Sequence, residues 1–119
     1  MRKIYAGFDA NDPERYTAGY ASGTTVITPG VYLKGRDALR ATMTAHYAGA
    51  LKGSKGLYDV QRIRFVTDDV AIVISMGSVL LAGQTEPSPT DLFYDTWVFS
   101  RASGDWEVEA FHSCPANPA

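Results

Sequence analysis

The sequence predicts a single α+β domain over residues 1–119, with three short helices in the first half lying in the concave side of a strongly curved antiparallel sheet. Three observations carry this. Helical apolar spacing is confined to the residues before Leu51, β-branched and alternating runs fill the rest, and Pro and Gly clusters punctuate the chain. At 119 residues there is room for one core, and no repeat, linker or low-complexity tract divides it.

The first segment, Met1 to Phe8, carries Ile4, Tyr5 and Phe8 at a spacing that suits a short helix. Asp12-Pro13-Glu14 starts a second. Asp12 can accept from free backbone N–H groups, Pro13 tolerates the first helical position, and Glu14 suits the positive end of the dipole. Tyr16 and Tyr20 then share one face, and Ser22-Gly23 ends the helix. Thr24 to Thr28 is a β-branched strand, Pro29-Gly30 a turn, and Val31 to Leu33 a second short strand closed by Gly35. From Arg36 to about Leu51 the stripe Leu39, Met43, Tyr47, Leu51 marks the third helix.

Strands follow: Leu57 to Val66, Val70 to Ala82, Asp91 to Arg101 and Trp106 to His112. Thr67-Asp68-Asp69 and Ser103-Gly104-Asp105 are turns, Thr85 to Pro89 is a polar loop, and Cys114 to Ala119 is an irregular tail.

Composition narrows the function. Hydrophobic residues at 45% and charged residues at 20% are ordinary for a globular chain, which excludes disorder and a disulfide scaffold. The net charge of −2, from 11 basic and 13 acidic residues without a basic run, predicts no nucleic-acid and no membrane partner. The one cysteine, Cys114, cannot form an intrachain disulfide. Met1-Arg2-Lys3 opens like a signal peptide, but Asp9 and Asp12 stand where its apolar stretch belongs, so a cytoplasmic location is expected. The longest apolar run, Val70 to Gly83, is too short to span a bilayer. Two distant histidines and one cysteine predict no metal site, and no GxGxxG or GxSxG motif occurs, so no cofactor is expected. Gly53-Ser54-Lys55-Gly56 resembles a phosphate loop only superficially and reads as a flexible turn.

Alternation assigns the faces. Glu107 and Glu109 belong in water, which puts Trp106, Val108, Ala110 and His112 on the inner face of the last strand. In the strand before it, Phe93, Asp95, Trp97 and Phe99 carry the greater aromatic area and form the inner face, with Leu92, Tyr94, Thr96 and Val98 outside. Arg62 and Arg64 are expected to pair with the glutamates on the outer surface.

One carboxylate, Asp95, and one imidazole, His112, are thereby expected on an apolar concave face. Proton-transfer sites are often built so, because lost hydration raises a carboxyl pKa. The plainer alternatives are a structural Asp95 held by a backbone N–H or a tyrosine hydroxyl, and a His112 bonded to a main-chain carbonyl. His46 reads as a surface residue of its helix. The 7 tyrosines are more hydroxyls than a small core needs. Singly they fill core; as a group they fit a pocket for a flat or polyene-like ligand better than one for a sugar or phosphate. Tyr5, Tyr16, Tyr20, Trp97 and Phe99 are the expected ligand-binding walls.

Several stretches carry a resemblance. These are Asp9-Ala10-Asn11-Asp12-Pro13-Glu14, Thr25-Val26-Ile27-Thr28-Pro29-Gly30, Gly35-Arg36-Asp37-Ala38-Leu39, Asp69-Val70-Ala71-Ile72-Val73 and Trp106-Glu107-Val108-Glu109-Ala110-Phe111-His112-Ser113. Together they resemble the SgcJ/EcaC group of SnoaL-like proteins, within the superfamily of nuclear transport factor two and ketosteroid isomerase. The last stretch is the most specific. The resemblance implies a cone-shaped fold and a role in natural-product biosynthesis, on an enediyne or related polyketide intermediate. It also implies pairing of two copies through the open sheet face, where Leu92, Tyr94 and Val98 would supply an apolar patch. Against ketosteroid isomerases the chain departs. Thr28 stands where the aspartate base is found, and Ile4, beside Tyr5, stands where the ketone-polarising tyrosine is found. Asp95 matches the oxyanion-hole carboxylic acid. The resemblance therefore implies cofactor-free proton transfer (cyclisation, dehydration or isomerisation) rather than isomerisation by the same three residues. A non-catalytic carrier of a polyene and a dimeric scaffold are the rival readings.

Overall fold

The computed structural model describes residues 1–88, 91–101 and 104–117. Three helices, α1 (Arg2–Asp9), α2 (Pro13–Thr17) and α3 (Arg36–Tyr47), accompany six strands: β1 (Tyr20–Thr28), β2 (Val31–Lys34), β3 (Lys55–Thr67), β4 (Val70–Leu80), β5 (Leu92–Ser100) and β6 (Glu107–Pro115). They form one sheet in the order β2-β1-β6-β5-β4-β3. Pairing is antiparallel except for β1 and β6, which run parallel, so the sheet is mixed rather than purely antiparallel. The β1–β2 hairpin docks beside the last strand, to which no short turn connects it; a direct hairpin would have forced the antiparallel sense.

Local chemistry sets the helix ends as expected. The Asp12 carboxylate accepts from the N–H groups of Glu14 and Arg15 at 3.1 and 3.2 Å. In α3 the stripe Leu39, Met43, Tyr47 is buried, and Leu51 packs against the core from beyond the helix end. The segment before β3 straps down α1. Lys55 Nζ donates to Asp9 O at 2.6 Å, Gly56 N donates to Asp9 Oδ1 at 2.7 Å, and Asn11 Nδ2 donates to Ser54 O at 3.1 Å. The stretch that resembled a phosphate loop is thus a buckle between helix and sheet, with Ser54 fully buried.

Three element boundaries differ most from expectation, the first being α3, which ends at Tyr47 rather than near Leu51. Helix α2 stops at Thr17 and Tyr20 already lies in β1, because Val108 N donates to Gly19 O and draws the chain into the sheet. The Tyr16 and Tyr20 rings still meet, now across a helix–strand junction. Strand β6 extends through Cys114 to Pro115, where an irregular tail was expected. Cross-strand pairing with Tyr94 and Phe93 holds those residues, and a proline is tolerated at a strand end. Of the predicted loops, Pro89 and Ser103 lie outside the described residues.

The core lies between the helices and the concave face. It contains Ile4, Phe8, Tyr20, Leu39, Met43, Tyr47, Val73, Trp97, Phe99 and Val108. In the sheet order β4 and β5 lie between β3, which carries Arg62 and Arg64, and β6, which carries the glutamates. Ion pairs among the described residues include Arg40 with Glu14 and Asp37, and Arg101 with Asp69. Among the described residues no helix is long and apolar enough to cross a membrane.

Candidate functional site

Strand β5 presents Asp95, Trp97 and Phe99 to the concave side, as alternation predicted, and all three are buried. Strand β6 does not follow simple alternation. Val98 pairs with Ala110 but Phe99 pairs with Val108, so Glu109 is an extra residue, a bulge. Its carboxylate accepts from Ser100 Oγ at 2.7 Å. Beyond the bulge the parity reverses: Phe111 and Ser113 face inward, and His112 is exposed beside Thr96 and Ile27. The inner-face placement of His112 is therefore corrected, and so is that of Ala110, which pairs with the outward Val98; Trp106, ahead of the bulge, lines a hollow with Phe99 and packs with Phe65 and Arg101 while remaining 37% exposed. A one-residue insertion moves every later side chain to the opposite face.

Asp95 sits on the wall of a cavity of about 400 Å³. Tyr5 and Phe8 from α1, Tyr16 from α2, Phe93 and Trp97 from β5 and Phe111 from β6 supply its aromatic surface. The Trp97 indole is fixed by donating to Ser75 Oγ at 3.0 Å, with Phe99 stacked on it and Phe111 tilted against it. Tyr5 stacks on Tyr58, ring centroids 4.3 Å apart. Two glycines make room beneath it. A Cβ on Gly56 would strike the Tyr5 ring, and one on Gly77 would collide with Oδ2 of Asp95 and lie 3.5 Å from the Tyr5 hydroxyl. The Asp95 carboxyl and the Tyr5 hydroxyl thus converge over Gly77, one from the sheet and one from the helix.

The Asp95 side chain, 5% exposed, accepts a hydrogen bond from Ser113. Burial pushes its pKa from 3.8 up to about 6, and the Ser113 bond opposes part of that rise. Burial likewise pushes the phenols of Tyr5, Tyr16 and Tyr20 upward, so they remain neutral donors. Chemically, the cavity offers the Asp95 carboxyl with its raised pKa, hydroxyl-bearing residues (Tyr5, Tyr16, Thr28, Ser78 and Ser113), and aromatic walls.

Of the expected walls, Tyr5, Tyr16 and Trp97 line this cavity. Tyr20 lies fully buried behind it, donating its hydroxyl to that of Tyr16 at 3.1 Å. Phe99 belongs to a neighbouring open hollow of about 430 Å³, with Ile63, Phe65 and Trp106. Phe8, Gly56, Gly77, Phe111 and Ser113 were not anticipated. Phe8 and Phe111 had a signal in their apolar character; the glycines and Ser113 had none without knowledge of the register. A third hollow, of about 740 Å³, carries exposed charges of both signs, including Lys3, Arg15 and Asp105, and is an open surface groove. Among the described residues no cluster of three or more metal-ligating side chains occurs.

Fold and cavity together define the class. The chain has the α+β cone architecture of cystatin-like and nuclear transport factor two-like proteins, with an aromatic pocket on its concave face. It superposes on a domain of unknown function with a cystatin-like fold from Nostoc punctiforme at a TM-score of 0.90, with 24% identity over 98% of this chain and 73% of that one. It is also similar to an NTF-2 like protein of unknown function from Shewanella oneidensis, with a TM-score of 0.79 and 16% identity over 94% and 90% of the two chains. A ketosteroid isomerase-like protein from Erwinia carotovora atroseptica gives a TM-score of 0.78 and 17% identity over 98% and 91%. No family model and no curated protein matches the sequence.

Proposed function

We propose that this chain is a small-molecule pocket protein of the SgcJ/EcaC type, acting in the cytoplasm on an apolar intermediate of polyketide or enediyne biosynthesis. Asp95 handles a proton or orients a polar group during cyclisation, dehydration or isomerisation. The observation that supports this reading is the buried Asp95 carboxyl on the wall of an aromatic cavity, with a pKa near neutrality. No residue of the chain supplies redox chemistry in this scheme, and the reaction proceeds without a cofactor. The test is metabolite profiling of a deletion strain complemented with the native gene or with Asp95→Asn. Loss of product with Asp95→Asn, and accumulation of its precursor, supports catalysis; full complementation contradicts it.

The exposure of His112 favours a second reading, a non-catalytic carrier of a reactive polyene, because it leaves the cavity with one acid and no second proton-transfer group beyond phenols. In that case Asp95→Asn retains both ligand and product. The convex face, with Tyr94 44% exposed beside Leu92 and Val98, is the surface through which two copies would pair. Sedimentation of native protein and Tyr94→Glu distinguishes a dimer from a monomer.

A further inference from the structure

We infer that the ligand of the concave cavity carries a positively charged nitrogen on an apolar body, held by the Asp95 carboxylate inside a cage of aromatic rings. This deepens the pocket reading above and rests on it. Anchoring a cation and removing a proton both call for the ionised carboxylate.

Among the described residues that line the cavity there is one acid, Asp95, and no Lys, Arg or His. Six lining residues are aromatic: Tyr5, Phe8, Tyr16, Phe93, Trp97 and Phe111. The face of each ring is the negative part of its quadrupole, and such faces attract ammonium groups, most strongly where water is excluded. A carboxylate offers about four acceptor positions, and Ser113 is the partner that the side-chain chemistry supplies. Acid, rings and hydroxyl oxygens therefore all bias the cavity toward a cation, and an anionic ligand would meet repulsion with no compensating base. A purely apolar ligand would leave the ionised carboxyl desolvated with no opposite charge beside it, a cost that a cation offsets.

The titratable groups facing Asp95 are the phenols of Tyr5 on α1 and Tyr16 on α2, both pushed upward by burial. Ser75 and Gly77 on β4, Trp97 on β5, and Phe111 and Ser113 on β6 do not titrate in the working range. A pH dependence of binding near 6 accordingly reports Asp95.

The test compares two probes of one shape, benzyltrimethylammonium and its neutral carbon isostere neopentylbenzene, by NMR titration of the native protein. At pH 8 the cation binds about tenfold tighter than the isostere, and its affinity falls as the pH drops through the Asp95 midpoint. In Asp95→Asn the preference disappears. The pH series on native protein keeps the test decisive if that variant fails to fold. Equal binding, or preference for neopentylbenzene, overturns the inference and leaves the pocket reading standing. Binding of neither probe overturns both.

Discussion

Asp95 pairs with Ser113 across the β5–β6 ladder, and the two side chains meet on the concave face while His112, one residue earlier, turns to solvent. The Glu109 bulge decides this. It makes the site a lone acid with a hydroxyl donor rather than an acid–imidazole pair.

Ser113→Ala removes the one bond that favours the ionised form. The Asp95 midpoint, about 6 in the native protein, is expected to rise further. Carboxyl-carbon NMR titration of the variant measures it; an unchanged or lowered midpoint contradicts the assigned role of the serine.

Asp95→Asn is expected to stabilise the fold at neutral pH. The folded pKa lies above the unfolded value of 3.8, so the native state holds the proton more tightly, and stability falls as pH rises from 3.8 through about 6. The whole shift corresponds to about 3 kcal/mol, and Asn should recover about 1–3 kcal/mol at pH 7.5. Near pH 3.5 the two proteins should be almost equal. Urea denaturation at both pH values checks the pattern.

His112→Ala, on the exposed face, should change stability by less than about 0.5 kcal/mol and leave cavity binding untouched. A large loss of ligand affinity would return the imidazole to the site.

Trp97→Phe deprives Ser75 of the indole N–H donor at a position where both groups are buried. The lost bond and the vacated ring volume together should cost about 2 kcal/mol. The double change Trp97→Phe with Ser75→Ala should recover part of it, since no hydroxyl is then left unpaired.

Gly77→Ala places a methyl group against Oδ2 of Asp95. The carboxyl must move, and the expected result is a shifted Asp95 midpoint together with weakened probe binding. A variant with native titration and native affinity would show that the convergence of Asp95 and Tyr5 over Gly77 is immaterial.

The sequence carried the architecture because its signals are local. The Asp12 cap, the Leu39-Met43-Tyr47 stripe and the Pro29-Gly30 turn need no knowledge of distant residues. Asp95 was placed correctly for the same reason: β5 is regular from Leu92 to Val98, so aromatic area alone chooses its inner face. Ala110 and His112 were misplaced because a bulge is invisible to strict alternation, and Glu109, a charged residue, fits an outward position in either register. The parallel β1–β6 pair and the extension of β6 to Pro115 depend on long-range partners that no local pattern encodes. The glycine floor beneath Tyr5 and Asp95 emerges only when two neighbouring strands are brought under one helix.

The account turns on the state of a single carboxyl. Titration of the Asp95 side-chain carbon by NMR, with the Trp97 indole N–H followed in the same samples, tests it most directly. A midpoint of about 6, mirrored in the indole signal, is the predicted result. A midpoint in the ordinary carboxylate range near 3.8, with a silent indole, would mean that Asp95 is hydrated and that the cavity holds no poised acid.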